Sequence, residues 1–400
     1  MSEAGIDDGP NRILLRNAAI TDARSERLEV GVSMLVEGRR VSWIRPVGDE
    51  PDPGSPVRVI DAGGATIVPA MVDAHSHVVL PGGSHWIARI DDPTAELLSV
   101  AEANGERLVA AGIRWARDVG SPTREVDGAA RPLALTVRDR WRGRHDRPYI
   151  RAAGTWIGKE GALPGAEFLV QAADGDALLA AAVRHLDDGA DHVKLYMDGP
   201  DGEVSPFTRH EVARVVDASS ARGASVTAHA TQIGGARAAV HGGVASIEHG
   251  DAVDDDLAAE MAERGTFLVT THSVMKSWLS FATTTDIERF TGGRARIEER
   301  LERARASAAS AHRAGVRIAA GSDFGGGSLR AGHLAWEVES LVESGLEPWE
   351  ALAAATWRGG ELLGEPSAGV LSEGGPSDCF LVHGNPTEDP AALWRVWMVL

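Results

Sequence analysis

Apolar and polar residues follow two different patterns along this chain. In its first and last parts, short β-rich segments are separated mostly by Gly, Asn, Asp or Pro, which is typical of strands joined by turns. These segments are residues 12–16, 33–37, 40–44, 57–61, 379–383 and 395–399. Between them the pattern changes to a strand, a loop and a long helix, repeated several times.

The central repeats predict eight strands that alternate with helices. The predicted strands are residues 66–77, 112–119, 149–156, 190–197, 224–230, 243–249, 266–272 and 316–323. The predicted helices include residues 94–111, 174–188, 208–222, 232–241, 254–264 and 296–314. Because this alternation is the pattern of a (β/α)8 barrel, we predict an α/β fold with a TIM-like barrel at residues 67–363. Residues 1–66 and 364–400 are predicted to form one small β-sandwich domain from both termini.

The composition narrows the range of partners. The 400 residues include 58 Asp and Glu against 40 Lys and Arg, which gives a formal net charge of −18. Because phosphate binding needs clustered basic residues, we expect neither nucleic acid nor an anionic membrane as a partner. No apolar run is long enough for a membrane span, and the first residues do not resemble a secretory signal. With Cys379 as the only cysteine, we expect no intrachain disulfide but a cytoplasmic enzyme with a small-molecule substrate, and homo-oligomer formation is left open.

The first candidate site is a His-x-His pair at the end of the first predicted barrel strand. His75 and His77 follow an apolar run, and alternate residues of a strand point to the same face. Their two imidazoles can therefore converge on one divalent metal ion. Alone, such a short motif has a high rate of false matches.

Four further side chains that can bind a metal lie at or near the ends of later predicted strands. They are Lys194, His229, His249 and Asp323. Taken one at a time, each has a simpler explanation: a lysine paired with a buried carboxylate, a histidine hydrogen-bonded in the core, or an aspartate that caps a turn. Because the carboxyl ends of barrel strands carry the chemistry of such folds, their common position favours one shared site.

Five ordered motifs resemble those of the metal-dependent amidohydrolase superfamily. They are His75-Ser76-His77, Val193-Lys194-Leu195, Ala228-His229-Ala230, Ile247-Glu248-His249-Gly250 and Gly321-Ser322-Asp323. The segment Arg117-Asp118-Val119-Gly120 is similar to the second-strand pattern of the branch with imidazolonepropionase-like and Xaa-Pro dipeptidase-like members. The resemblance covers nearly the whole chain.

The resemblance implies a binuclear metal centre with a carboxylated lysine. The ligands that it implies are His75, His77 and Asp323 for the first metal, His229 and His249 for the second, and Lys194, as a carbamate formed with carbon dioxide, for both. Two dications about 3.5–4 Å apart repel by on the order of 18 kcal/mol at an effective dielectric constant of about 20. Bridging anions are needed to offset this repulsion, and zinc is the default metal for such ligands.

The resemblance also implies the reaction, which is hydrolysis of an amide-type C–N bond by a metal-bridging hydroxide. The substrate would be a small amide, a carbamate, a dipeptide or an N-acyl amino acid, and Asp323 would move the proton from the hydroxide to the leaving nitrogen. Side chains of the strand ends and the following loops are candidate substrate contacts. They are Tyr196, His272, Trp156, His85 and Arg330. Tyr196 is equally explained by packing inside the barrel, Arg330 by a surface charge, and His192 is expected in the barrel core.

Three other functions remain as alternatives. A deaminase of the same superfamily typically has one metal and a Glu three residues after the strand-five histidine. Here this position is Gln232, which cannot carry a proton as Glu does. A phosphotriester or lactone hydrolase would use the same hydroxide. A non-catalytic scaffold without metal would have lost some of the six ligand residues, all of which are present.

Overall fold

The computed structural model describes residues 12–162 and 168–400. The strands in these ranges are β1 (Arg12–Ile20), β2 (Glu29–Glu37), β3 (Arg40–Pro46), β4 (Arg58–Asp61), β5 (Thr66–Pro69), β6 (Met71–Ser76), β7 (Ile113–Asp118), β8 (Thr123–Val126), β9 (Ala129–Pro132), β10 (Tyr149–Ala152), β11 (Ile157–Lys159), β12 (Val170–Ala172), β13 (His192–Tyr196), β14 (Ser225–Ala230), β15 (Ser246–His249), β16 (Phe267–Thr270), β17 (Ile318–Ala320), β18 (Cys379–Val382) and β19 (Val396–Val399).

The helices in the same ranges lie mostly between the central strands. They are α1 (Thr94–Ala110), α2 (Leu133–Trp141), α3 (Gly175–Asp187), α4 (Arg209–Ser220), α5 (Ile233–Gly242), α6 (Asp255–Arg264), α7 (His272–Phe281), α8 (Glu288–Thr291), α9 (Arg294–Arg313), α10 (Leu334–Glu343), α11 (Pro348–Ala354) and α12 (Trp357–Leu363), with short 3-10 helices at Ala88–Asp91 and Pro390–Trp394. None of these helices combines the length and the apolar character that a membrane span requires.

Both ends of the chain contribute to one mixed sheet of seven strands. Its order is β19-β18-β5-β1-β2-β3, and β4 pairs with β1. The two ends of the chain meet where β18 runs antiparallel to β5. Neighbouring residues of β1 belong to different apolar clusters, because Leu15 shares a cluster with Met34 whereas Leu14 shares one with Leu35. The sheet therefore buries side chains on both faces, and all six predicted terminal strands are present.

The eight predicted central strands are all present and parallel, so the architecture is α/β. β6, β7 and β10 form one sheet, and β13, β14, β15, β16 and β17 continue a second sheet that starts with the short β12 and β11. Isolated parallel bridges join the two sheets at both edges, between Ser76 and Phe324 and between Ala153 and His192. The carboxyl ends of the eight strands therefore lie at the same end of the fold, where residues far apart in sequence can meet.

Local sequence signals explain why the helices begin where they do. The six predicted helices are found as α1, α3, α4, α5, α6 and α9, with ends within about two residues of the predicted ones. The Asp174 side chain accepts hydrogen bonds from the first backbone N–H groups of α3. Thr208 and Glu211 form a reciprocal capping box at the start of α4.

A small hairpin, formed by β8 and β9, was not predicted. Its turn places Asp127 at a φ of 54° and Gly128 at 82°, the left-handed pair that a two-residue hairpin turn requires. The Asp-Gly dipeptide was the sequence signal for this turn. The predicted central strands were also too long at their ends, since β17 stops at Ala320 and Asp323 lies in the loop that follows it.

Replacing Thr208 with Ala is expected to lower the free energy of unfolding by about 1 kcal/mol, because a backbone N–H of α4 loses its acceptor. Urea denaturation measures the change. Thr94→Ala is the matched control, since Thr94 also begins a helix but makes no cap hydrogen bond in the described part of the chain. Equal stability of both variants would show that the capping box contributes little.

Candidate active site

All six predicted ligand residues line one cavity at the carboxyl ends of the central strands. His75 lies in β6, Lys194 in β13, His229 in β14 and His249 at the end of β15, whereas His77 and Asp323 follow β6 and β17. The cavity has a volume of about 200 Å³. The register of the parallel strands accounts for part of this convergence. His229 is paired with Tyr196, two residues after Lys194, and His249 is paired with Ala230, the residue after His229.

His75, His77 and Asp323 form the tightest group of candidate ligands. Asp323 Oδ1 lies 3.1 Å from His77 Nε2 and 3.5 Å from His75 Nε2. The ligand atoms of these three residues all lie within 4.8 Å of one another. Two more rings continue the group, since the ring centroids of His75 and His249 are 4.8 Å apart and those of His249 and His229 are 4.5 Å apart.

The first two histidines are held by the ring nitrogen that faces away from Asp323. His75 Nδ1 lies 2.6 Å from a Glu248 carboxylate oxygen, and Arg117 donates to the other oxygen of that carboxylate at 2.6 Å. His77 Nδ1 donates to the Gly120 carbonyl oxygen at 2.7 Å. Each Nε2 is therefore turned toward the cavity, as in metal sites where a second interaction orients the ligand.

The other two histidines are held in the same manner. His249 Nδ1 lies 2.7 Å from Thr271 Oγ1, and His229 Nε2 lies 3.0 Å from an Asp198 carboxylate oxygen. Asp198 in turn accepts hydrogen bonds from the backbone and hydroxyl of Thr231. One nitrogen of each ring, His249 Nε2 and His229 Nδ1, has no hydrogen-bond partner among the described residues.

Lys194 is the most unusual of the six residues. Its side chain is 2% exposed, and its Nζ has no hydrogen-bond partner in the described ranges. The alternative of a lysine paired with a buried carboxylate is therefore not met within hydrogen-bonding distance. Burial lowers the pKa of Lys194 from 10.5 to about 8. Burial thus makes the neutral amine more accessible than it is for a lysine in water, although the ammonium ion still predominates at pH 7.

Electrostatics keep His75 and Asp323 in forms that can bind a cation. Burial, assisted by the charge of Lys194, lowers the pKa of His75 to about 4, so its ring is neutral at pH 7. Burial acts to raise the pKa of Glu248, but Arg117 and Lys194 outweigh it and hold this pKa well below the usual range. Burial also acts to raise the pKa of Asp323, but His75 and His77 outweigh it and lower this pKa.

Two of the candidate ligands have a backbone conformation that is uncommon for residues other than glycine. His249 has a φ of 69° and Asp323 a φ of 49°, both in the left-handed region. A residue with a side chain adopts this region at a cost of roughly 1 kcal/mol. Such conformations persist where the surroundings impose them and are frequent at functional sites. Here they aim both side chains into the cavity.

The donor set fits divalent metal ions. Imidazole nitrogens and a carboxylate oxygen are common ligands of zinc and related metals. Four histidines and Asp323 supply these atoms, and one nitrogen of each histidine is already fixed by a hydrogen bond. The buried Lys194 amine lines the same cavity and has no hydrogen-bond partner among the residues that the structure describes.

Comparison with known proteins supports this interpretation. The sequence profile described as "Amidohydrolase family" matches residues 66–399. The chain belongs to the amidohydrolase family. An uncharacterized protein of Mycobacterium tuberculosis is 31% identical over 388 residues, which cover 94% of this chain and 95% of the relative. The imidazolonepropionase of Anaeromyxobacter dehalogenans is 26% identical over 403 residues, 92% of this chain and 89% of that protein.

Solved structures agree with the sequence comparison. The crystal structure of a Xaa-Pro dipeptidase with methionine bound in its active site is similar, with a TM-score of 0.84 and 25% identity over 97% of this chain and 98% of that one. The predicted resemblance to this branch of the amidohydrolases is confirmed. The chain is a metal-dependent hydrolase that acts on amide-type C–N bonds.

Two of the five predicted substrate contacts of this amidohydrolase line the cavity. The Trp156 ring lies 5.3 Å from the His77 ring, measured between centroids. Tyr196 stacks on His229 with centroids 3.8 Å apart. Tyr196 thus lies in the cavity wall and also packs against the apolar core.

The other three predicted contacts are not among the residues that line the cavity, and their role in substrate binding stays a prediction. His272 begins α7, and its Nδ1 lies 3.3 Å from Ser344 Oγ, which turns the ring away from the mouth. His85 and Arg330 are exposed, and Trp86, next to His85, forms part of the wall instead. His192 is buried in the core, as expected.

Several site residues were missed because their role is to hold other residues. Asp198 and Thr271 are examples, and neither belongs to a motif that the sequence analysis recognised. Glu248 and Arg117 stood inside recognised motifs but received no role. Arg300, which lies on α9 and lines the cavity, was also missed because it resembles an ordinary surface arginine of a charged helix.

Replacing Gly326 with Ala is expected to weaken metal binding on the order of 10- to 100-fold. A Cβ atom at this position would lie 2.0 Å from His77 Cδ2 and 2.3 Å from His77 Nε2, so the ring must move. Competition with a chelator measures metal affinity, and the melting temperature reports on folding. At the control position, Gly202, a Cβ would meet its first neighbour at 4.0 Å. Unchanged affinity in the Gly326 variant would contradict His77 as a ligand.

Proposed function

We propose that this amidohydrolase is a binuclear enzyme with zinc as the native metal, and that it cleaves a small amide such as a dipeptide or an N-acyl amino acid. The observation that carries the proposal is the arrangement around Lys194. Four imidazoles, each fixed through one nitrogen, line one cavity together with a carboxylate and a buried amine that has no hydrogen-bond partner in the described ranges. Two cations would be held by His75, His77 and Asp323 and by His229 and His249, with Lys194 shared.

The proposal assigns Lys194 a carbamate formed with carbon dioxide. The neutral amine attacks carbon dioxide, the new N–C bond forms, and one proton leaves the nitrogen. This converts a group that would be positively charged into an anion, which is what a site with two cations needs. The absence of any described carboxylate bonded to Nζ supports this assignment, because an unpaired buried ammonium would be costly.

Different residues of the cavity have different roles in amide hydrolysis. Bound metal ions would supply a Lewis acid and a hydroxide at neutral pH. Asp323 takes a proton from the attacking water and passes it to the leaving nitrogen, because its carboxylate is at the centre of the ligand group and unprotonated at pH 7. The hydroxyl of Tyr196, which lies beside His229, would hydrogen-bond the carbonyl oxygen as charge develops on it.

The dimensions and lining of the cavity support a small substrate with an apolar part. About 200 Å³ accommodates a molecule of dipeptide size. Apolar side chains surround the polar group. They are Leu80, Trp86, Ile90, Trp156, Phe168, Val274, Met275 and Trp278. The similarity to a Xaa-Pro dipeptidase also favours a dipeptide or a related amide.

A deaminase is supported less well. Gln232 occupies the position at which the superfamily's deaminases typically have a glutamate, and its side-chain amide exchanges two hydrogen bonds with the backbone of Gly199. It does not line the cavity. Neither a phosphotriester hydrolase nor a lactonase is favoured by a particular contact.

We further infer that the eight central strands close into a barrel and that residues 12–66 and 364–400 form a sandwich domain. Residues 1–11 of the predicted sandwich and 163–167 of the predicted barrel lie outside the described residues. The two bridges at the edges of the parallel sheets support closure. The seven-stranded sheet built from both termini supports the second domain.

A cytoplasmic location and a small-molecule substrate stay predictions from the composition. The exclusion of nucleic acid and membranes as partners is also a prediction from the composition, and homo-oligomer formation stays open.

The Lys194→Ala variant is expected to bind one metal equivalent or less, against two for the wild-type protein, because the shared anion is lost. Elemental analysis of the zinc-loaded proteins measures this, and short carboxylic acids should restore part of the activity. Wild-type protein supplied with ¹³C-bicarbonate should show a carbamate ¹³C signal that the variant lacks. Lys276→Ala, which removes a lysine paired with Glu343 outside the cavity, is the control. An unchanged metal content would contradict the carbamate.

The Asp323→Asn variant is expected to keep its metal but to lose turnover by about 10²- to 10⁴-fold, because the amide retains an oxygen ligand but cannot move a proton. Steady-state kinetics on the best substrate of an N-acyl amino acid and dipeptide panel measures the loss. Asp389→Asn, which alters an ion pair with Arg395 far along the chain, is the control. Wild-type turnover in the Asp323 variant would refute its role in proton transfer.

A further inference from the structure

Arg300 is a cavity-lining residue for which the hydrolytic chemistry gives no role. It lies on α9, and among the described residues that line the cavity it carries the one permanent positive charge. The side chain is about one-third exposed, at 32%, so its guanidinium borders both the cavity and solvent. A substrate that enters the cavity can therefore reach it.

Two contacts with described residues hold the guanidinium in place. Its Nε donates to an Asp251 carboxylate oxygen at 2.6 Å, and Asp251 is 1% exposed. The Arg300 Cζ lies 5.5 Å from the centroid of the Trp278 ring, which is also part of the cavity wall. These two contacts fix the position of the group while leaving its terminal nitrogens available.

Both terminal nitrogens of Arg300 lack a hydrogen-bond partner in the ranges that the structure describes. Some other arginines of the described chain have more of their donors engaged. Arg138 is an example in this chain, because its Nε and both terminal nitrogens bond to Asp139, Asp191 and the Gly189 carbonyl. The open edge of Arg300 has the planar, two-pronged geometry that matches a carboxylate.

The neighbourhood of Arg300 favours a ligand that has both a charge and an apolar part. Val274, Met275 and Trp278 of α7 line the same cavity. An anion bound beside such side chains is less well hydrated, so its hydrogen bonds to the guanidinium are stronger than at an open surface. In an N-acyl amino acid or a dipeptide, the free carboxylate lies one carbon atom away from the scissile nitrogen, so one molecule can reach both groups.

We propose that Arg300 binds the carboxylate of the substrate and makes this hydrolase selective for amides that carry one. The inference rests on the proposed function and narrows its substrate class to N-acyl amino acids and dipeptides with a free carboxyl terminus. Arg300 is thus a specificity-determining residue, and Asp251 orients it.

The test compares each substrate of a panel with its neutral carboxamide. N-acetyl-L-amino acids and L-Xaa-L-Pro dipeptides serve as the charged members. For wild-type zinc-loaded protein, kcat/KM should favour the carboxylate over the carboxamide by on the order of 10- to 100-fold, the range expected for a charge-assisted hydrogen bond. In Arg300→Gln this preference should disappear through a rise in KM for the carboxylate, with the carboxamide little affected.

Two controls separate recognition from folding. Arg303→Gln changes an exposed arginine one turn further along α9 and should keep the wild-type preference. Metal content and melting temperature of Arg300→Gln should match the wild type, and Arg300→Lys should recover part of the preference. If Arg300→Gln instead lowers kcat/KM equally for both members of each pair, Arg300 is structural and the inference is overturned.

Binding without turnover gives a second readout. Equilibrium dialysis of the best carboxylate substrate against the Asp323→Asn protein measures its Kd directly, and the added Arg300→Gln change should weaken binding by about the same factor as the rise in KM. Hydrolysis of carboxylates and carboxamides at equal rates by the wild type would overturn this inference alone. Hydrolysis of no member of the panel with zinc would overturn the proposed function and this inference with it.

Discussion

The hydrogen bond that fixes one ring nitrogen of each cavity histidine is the interaction on which the site depends. An imidazole on a strand end can rotate about two side-chain bonds, so its position in the sequence does not by itself direct a nitrogen at a metal. Glu248, the Gly120 carbonyl, Thr271 and Asp198 each hold one ring nitrogen and thereby aim the other. The six donors converge because these four partners are themselves fixed in the strands or in the turns that follow them.

The charges that support the histidines form a connected network of their own. Glu248 is fully buried, and such a carboxylate is stable only because Arg117, Ser246 and Thr227 donate to it. Arg117 also donates to the Ala74 carbonyl, which ties β7 to the strand that carries His75. The network thus serves two purposes, since it positions a ring and also links neighbouring strands beneath the site.

A similar link lies where the first and last central strands meet. Asp73 of β6 accepts hydrogen bonds from the backbone and the hydroxyl of Ser322, the residue before Asp323. Burial raises the pKa of Asp73 to about 7, so the group is expensive to keep charged and its hydrogen bonds matter. The position of Asp323 relative to the His-x-His pair is set by this contact.

The separation along the chain of the residues in each interaction decides how much of the fold and of the site the sequence predicts. Strand alternation and the order of strand ends are local or topological properties, and they were sufficient to gather His75, Lys194, His229 and Asp323. Helix starts were predictable because caps such as Asp174 act within three residues. The placement of His272 differs from the predicted one, since β16 ends at Thr270 and the start of α7 turns the ring toward Ser344. That reorientation depends on α10, more than sixty residues away, which no local pattern reveals.

Arg300 is a second residue whose surroundings the sequence alone does not reveal. Its helix is rich in arginine, and from the sequence alone Arg300 cannot be distinguished from Arg296 or Arg303 as a solvated charge. Only the fold places Asp251, two residues after His249, against its Nε and leaves its terminal nitrogens beside the cavity. The donors for chemistry lie on buried, mutually paired strands, whereas the groups that contact the rest of a substrate lie on helices and loops around them. Selectivity can therefore change through substitutions in α7 and α9 without disturbing the histidines. Asp251, which lies close to His249 in sequence and contacts Arg300, connects the helices to the strands.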